Sequence, residues 1–339
     1  MPQQWPPTFS IVYVPGTVHT LFDFARSLAE HAPYRFRLVS NACSPAEEAL
    51  LAARCATQPR LEFASLETTS VLLHGEALQR LFARESADYF AFIDSDVFSR
   101  GPFLAEAQSL LERHAALFAG LPAWLAPDEH ILPARFVSMG GRFSQTDDGR
   151  CLGVSYCALY QRAALETVMD RTGVTFHPRR WWDLSAEQRA LLATMKLAKR
   201  RYDTLKLVNL MLGHAGFSLS MCSEPNLVHL GGLSNAAMRP SHLAGRTIAR
   251  LREIVEWNRP GPMPRRRARE RHATLDIFKR RRLVEAYFQH LLAGGPVDEG
   301  PARAFPASGR QQLVEIGREV LMLRRRYARD AGTAPPGRP

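Results

Sequence analysis

Residues 89–96 read Tyr89-Phe90-Ala91-Phe92-Ile93-Asp94-Ser95-Asp96. Five apolar residues run without a polar interruption, and the chain then turns to two carboxylates separated by one serine. An apolar run of this kind predicts a strand covered on both faces, the pattern of a mainly parallel sheet packed between helices. In open α/β sheets, ligands collect outside the carboxyl ends of the strands. Two carboxylates at i and i+2 past such an end can share a divalent cation. Their hard oxygens select Mg²⁺ or Mn²⁺, an ion that would normally bridge a diphosphate. The D-x-D spacing is cheap on its own, and the apolar strand before it is what gives it weight.

On the amino-terminal side, Phe9 to Val14 is a β-branched and aromatic run closed by Pro15-Gly16, a strand and a turn. Leu21, Phe24, Ala25 and Leu28 then recur at helical spacing. Arg35 to Val39 and Leu61 to Leu66 read as strands, and Glu76 to Arg84 as a helix. Between those two strands, Ser44, Pro45 and Glu47 form the start of a helix with a capping box.

Towards the carboxyl end, Phe103, Ala107, Leu110, Leu111 and Phe118 share one helical face, which predicts a helix over 103–118. Residues 120–150 are rich in Pro, Gly and Asp and read as loops around a site. Helical spacing returns at 186–199 and 204–212, and a short strand at 217–221 leads to Val228-His229. Strands alternating with helices predict an α/β fold with a mixed, mainly parallel sheet flanked by helices.

Two further features carry chemistry. His229 is followed by Gly231, Gly232 and Ser234. A neutral imidazole completes the coordination of a cation held by carboxylates, and neighbouring glycines let a backbone approach a phosphate closely. Asp203 stands before the 204–212 helix, where a carboxylate serves either as N-cap or as general base on an acceptor hydroxyl.

Together these residues resemble the GT-A glycosyltransferases, of the family 2-like, D-x-D-containing kind. The resemblance rests on FSIVYVPGT, FIDSDVF, RYDTLKLVNLMLGHAGFSL and VHLGGLS in chain order, and it spans about residues 9–235. It implies a GT-A sheet and transfer of a sugar from a nucleotide-diphosphate sugar to a hydroxyl acceptor on a glycan or lipid-linked glycan. Asp94 and Asp96 would hold Mn²⁺ or Mg²⁺ on the diphosphate, with Ser95 between them and His229 as a further ligand. Pro15, Gly16, Thr17 and Asn41 would lie near the base and ribose. Asp203 falls where inverting members place an acidic residue towards the acceptor, although Tyr202 precedes it where a Glu-Asp pair is common.

The chain has 339 residues and a net charge of +11. Residues 1–244 hold 23 basic and 23 acidic side chains, so 21 of the 44 basic and 10 of the 33 acidic ones fall in 245–339. The sequence thus divides into a charge-balanced catalytic part over 1–244, a basic helical extension over 245–330 with Arg runs at 265–267, 280–282 and 324–326, and a disordered tail over 331–339. An anionic membrane surface is the partner expected for the extension. Nucleic acid is disfavoured, because Trp257, Tyr287, Phe288 and Tyr327 are too scattered to form a stacking platform. The first residues lack a basic region followed by a long apolar one, no apolar stretch reaches membrane-spanning length, and the five cysteines show neither C-x-x-C nor zinc spacing. A reduced, cytoplasmic setting is expected, peripheral to the inner face of the membrane. Three other readings compete. A haloacid dehalogenase-type phosphatase disagrees with Phe98 and with the late position of Asp94, and a nucleotidyltransferase lacks its glycine-rich, lysine-bearing phosphate loop. The third is a non-enzymatic polyanion-binding protein acting through 245–339.

Overall fold

The computed structural model describes residues 5–123, 125–126, 128–234, 255, 261–262, 267–297 and 300–330. The expected helix at 247–257, the Pro-rich stretch at 260–264 and the expected tail at 331–339 lie wholly or mostly outside the described residues.

The chain begins β1 (Thr8–Tyr13), α1 (Val18–His31), β2 (Arg35–Ser40), α2 (Pro45–Ala56), β3 (Leu61–Ser65), α3 (His74–Arg84) and β4 (Tyr89–Ile93). It continues through β5 (Val97–Ser99), α4 (Ala107–Leu111), β6 (Ala116–Ala119), β7 (Ile131–Leu132), β8 (Gln145–Thr146) and β9 (Cys157–Gln161). Then follow α5 (Arg162–Thr172), β10 (Arg179–Arg180), α6 (Ala186–Thr194), β11 (Arg201–Tyr202), α7 (Lys206–His214), β12 (Leu219–Cys222) and β13 (Leu227–His229). Two long helices, α8 (Arg267–Leu292) and α9 (Ala307–Asp330), end the described chain.

Seven strands form one sheet in the order β12-β6-β9-β4-β1-β2-β3. Neighbours run parallel except at β9, which is antiparallel to both β4 and β6. The result is the mixed, mainly parallel sheet flanked by helices that the alternating pattern predicts. All five residues of β4 are buried, as an uninterrupted apolar run requires. Phe90, Phe92 and Ile93 each contribute about 2 kcal/mol of burial. The capping box at Ser44 forms as expected: Ser44 Oγ accepts from the Glu47 N–H, and the Glu47 carboxylate accepts from the Ser44 N–H.

The expected helix over 103–118 is corrected. Only Ala107–Leu111 is helical, and Ala116–Ala119 is a fully buried strand between β9 and β12. Glu112, Arg113 and His114 interrupt the apolar face, and the Ala115–Ala119 run fills a slot in the sheet. The expected helix at 204–212 begins later, at Lys206, with Leu205 as its cap at φ +70°. Asp203 is therefore not its N-cap.

The hydrophobic core is continuous from the sheet into the last two helices. Val284, Tyr287 and Phe288 of α8 and Val320 of α9 are fully buried in the same cluster as β1 and β4. Polar contacts add to this: Arg100 Nε meets Glu319 at 2.7 Å, Arg326 meets Glu30 at 2.9 Å, and Arg280 pairs with Glu129. Two of the carboxyl-terminal arginines, Arg280 and Arg326, are thus paired with acids of the first part of the chain. No helix among the described residues is long and apolar enough to cross a membrane.

Candidate metal and diphosphate site

β4 sets the position of the acidic pair. The Asp94 N–H donates to the Tyr156 carbonyl at 2.7 Å, and the Val97 N–H closes a turn onto the Asp94 carbonyl at 3.2 Å. The chain re-enters extended structure at β5, which pairs antiparallel with β13 so that His229 faces Val97. That pairing brings an imidazole from far along the chain to the end of β4. The returning segment is tied down by Leu230 N–H to the Asp96 carbonyl at 3.1 Å and Leu233 N–H to Asp96 Oδ2 at 2.9 Å. Ser95 Oγ lies 2.9 Å from Ser234 Oγ.

His229 Nε2 is 3.2 Å from Asp96 Oδ1 and 3.7 Å from Asp94 Oδ2. Donor atoms of the three residues all lie within 4.8 Å of one another. Asp96 and His229 are buried, while Asp94 keeps partial access to solvent. Burial and the neighbouring Asp96 push the Asp94 carboxyl up to about 7, against the pull of His229 and Arg281. Burial raises Asp96 too, but His229, the Leu233 N–H and Arg281 outweigh it and hold that carboxyl below its ordinary range. Two carboxylates side by side, one driven towards its protonated form, are what a pair looks like before a cation joins it. Both ring nitrogens of His229 are buried without a hydrogen-bond partner, the Asp96 contact being too poorly aligned to count as one. The ring stacks on Tyr156 at 4.1 Å between centroids, and the Tyr156 hydroxyl donates to the Gly120 carbonyl. An orphaned, oriented imidazole facing two carboxylates fits a divalent cation.

The other expected residues fall on the same edge of the sheet, in varied roles. Pro15, Gly16 and Thr17 follow β1, the strand next to β4, and Asn41 follows β2, one strand further out. Thr17 Oγ1 is occupied by the Val14 backbone, and the Gly16 N–H donates to Glu47 at 2.7 Å. The buried Asn41 amide spans the Leu72 backbone, giving Nδ2 to its carbonyl at 3.0 Å and accepting its N–H at 2.9 Å. Thr17 and Asn41 therefore shape this edge through internal hydrogen bonds. Gly231 and Gly232 have φ of +82° and +93°. A Cβ at Gly232 would lie 2.5 Å from Glu285 Oε1 and 2.8 Å from Arg281 Nη2, so the close approach this glycine permits is to α8.

Asp203 accepts the Gly141 N–H at 2.9 Å and the Thr204 N–H at 2.9 Å. Its carboxylate is thereby fixed beneath the 140–141 loop. His74, at the first position of α3, is a residue that sequence reasoning missed. Its Nε2 lies 3.5 Å from Asp94 Oδ1. Burial pushes its imidazole down to about 4, although Asp203 and Asp96 both pull the other way. A neutral His74 thus lies beside Asp94, within the electrostatic reach of Asp96 and Asp203.

No protein-family model matches the chain, and no curated protein matches it. Among solved structures, a crystal structure of an active-site mutant of LgtC matches at 12% identity over 64% of this chain and 72% of that one, with a TM-score of 0.37. A superposition that loose carries no argument, and the functional reading rests on the site itself.

Proposed function

We propose that the protein is a GT-A-type, divalent-cation-dependent glycosyltransferase that moves a sugar from a nucleotide-diphosphate sugar to a hydroxyl of a glycan or lipid-linked acceptor. The observation that carries this reading is the Asp94–Asp96–His229 cluster, assembled at the carboxyl end of a buried strand in a mainly parallel sheet. Asp94, Asp96 and His229 would hold the cation. Two oxygens and one nitrogen favour Mn²⁺ over Mg²⁺, which prefers an all-oxygen shell. When bound, the cation supplies positive charge to the diphosphate as it leaves.

The chain's own residues do the rest. Asp96, anchored by the Leu233 N–H, fixes one side of the site, and Tyr156 holds the His229 ring in its plane. The edge formed by residues 15–17 and 41 receives the nucleoside. Asp203 accepts the proton of the attacking hydroxyl, an assignment that makes the reaction inverting. His74, neutral at pH 7 and beside Asp94, would offer one hydrogen bond to the donor.

The test is thermal melting with Mn²⁺ and a panel of sugar nucleotides, because a ligand of the folded state raises its stability by mass action. Wild type should be stabilised by at least one sugar nucleotide only when Mn²⁺ is present, and Asp96→Asn should lose that response. Retention of the response in Asp96→Asn, or stabilisation by nucleoside triphosphates with release of pyrophosphate, would sink the proposal.

A further inference from the structure

The carboxyl-terminal helices carry most of the chain's excess charge, yet one of their arginines lies against the candidate site. Arg281, on α8, has its Nε 3.0 Å from Glu285 Oε1, one helical turn on. Glu285 is 2% exposed and Arg281 29%, so the carboxylate sits behind the guanidinium. Among the described residues Glu285 is its one ion-pair partner. Both side chains press on Gly232: a Cβ there would stand 2.8 Å from Arg281 Nη2 and 2.9 Å from Arg281 Nε. The next residue, Leu233, donates its N–H to Asp96. The guanidinium is therefore one residue away from the peptide that fixes the acidic pair, and its field reaches both carboxylates.

We propose that Arg281, braced by Glu285 over Gly232, is the guanidinium that binds the diphosphate of the nucleotide donor beside the Asp94–Asp96–His229 cluster; this rests on the glycosyltransferase reading above. The chemistry favours it in two ways. A guanidinium gripped at Nε by a carboxylate keeps its terminal N–H groups in one plane, the fork that engages two phosphate oxygens at once. The charge account points the same way. A divalent cation balances Asp94 and Asp96, and Arg281 adds positive charge beside them. The incoming diphosphate brings negative charge, and Arg281 is the cation placed to meet it. The rival explanation, that Arg281 only quiets the acid pair, predicts a different response to substitution.

The experiment is calorimetric titration of the full-length protein, first with Mn²⁺ alone, then at saturating Mn²⁺ with inorganic pyrophosphate, UDP and GDP. Arg281→Gln should bind Mn²⁺ at least as tightly as wild type, because a positive charge beside the cation has gone. It should bind pyrophosphate and the preferred nucleoside diphosphate roughly ten- to a hundredfold more weakly. Arg281→Lys, with the charge but not the fork, should fall between. Should Arg281→Gln fail to fold once Glu285 loses its Arg281 contact, the double variant Arg281→Gln/Glu285→Gln removes both charges and carries the same expectation. Unchanged diphosphate affinity in a folded variant would overturn the role of Arg281 and leave the donor reading standing. A wild type that binds neither pyrophosphate nor any nucleoside diphosphate with Mn²⁺ would overturn both.

Discussion

Asp203 shows how much one carboxylate can be asked to do. Its two oxygens each take a backbone N–H, from Gly141 and from Thr204, and Gly141 has no room for a Cβ because Asp203 Oδ2 would lie 2.5 Å away. Each oxygen keeps a further lone pair, so a braced carboxylate can still accept a proton from an acceptor hydroxyl. If that is its task, Asp203→Asn should slow Mn²⁺-dependent hydrolysis of the sugar nucleotide, with water as acceptor, by about a hundredfold or more. Donor binding by calorimetry should change by no more than about threefold. A variant that melts lower yet turns over normally would reduce Asp203 to a loop brace. The acidic pair was legible in the sequence because its two members are neighbours and the strand before them is unmistakable. His74 was not, since its nearness to Asp94 depends on where α3 meets the sheet, and nothing local marks it. Gly231 and Gly232 were read as room for a phosphate, whereas Gly232 makes room for an arginine that lies 49 residues further along.

At the scale of the element, α7 is held by a buried charge. Lys206 is fully buried, and its Nζ donates to the Phe143 carbonyl at 2.5 Å and to the Gly153 carbonyl, tying the start of the helix to the loop beside the site. Burial pushes the Lys206 ammonium down to about 8, with Asp203 and Cys151 pulling it back up. The unfolded chain, with an ordinary lysine near 10.4, therefore binds more protons than the native one between about pH 8 and 10.4. Stability must climb with pH across that window. Lys206→Met removes the titration. The stability of wild type relative to Lys206→Met should thus grow by about 2 kcal/mol from pH 8 to pH 10, measured by urea unfolding. A flat difference would show that the two carbonyls, not burial, set the state of the amine. Sequence periodicity gave α7 to within two residues, but the identity of its start was hidden. Leu205 caps it from a left-handed conformation, and Lys206, which reads as a solvated charge, points inward. β6 was missed for a related reason: its four residues continue the apolar rhythm of the helix before it, and only the slot between β9 and β12 makes them a strand.

For the whole molecule the question is what the basic carboxyl-terminal region is for. In sequence, the excess charge falls after residue 244, and the residues before it are charge-balanced. Separation in sequence is nevertheless not separation in space. Val284, Tyr287, Phe288 and Leu291 of α8, with Ile316 and Val320 of α9, are at most 2% exposed in the core that includes the sheet. Arg26 of α1 lies 4.1 Å over the Tyr327 ring of α9, and Arg326 reaches Glu30 of the same helix. Six buried side chains at about 2 kcal/mol each amount to as much as the whole net stability of an ordinary domain. Removing residues 267–339 should therefore abolish the cooperative thermal transition, and Mn²⁺-dependent binding of nucleoside diphosphates should go with it. The contrary result has a clear form. A truncated protein that stays monomeric, melts in one transition and still binds Mn²⁺ would show that 1–266 folds without the two helices and that they are an addition to it. Even then Arg281 would be gone, so such a protein should hold the cation with wild-type strength and the diphosphate weakly.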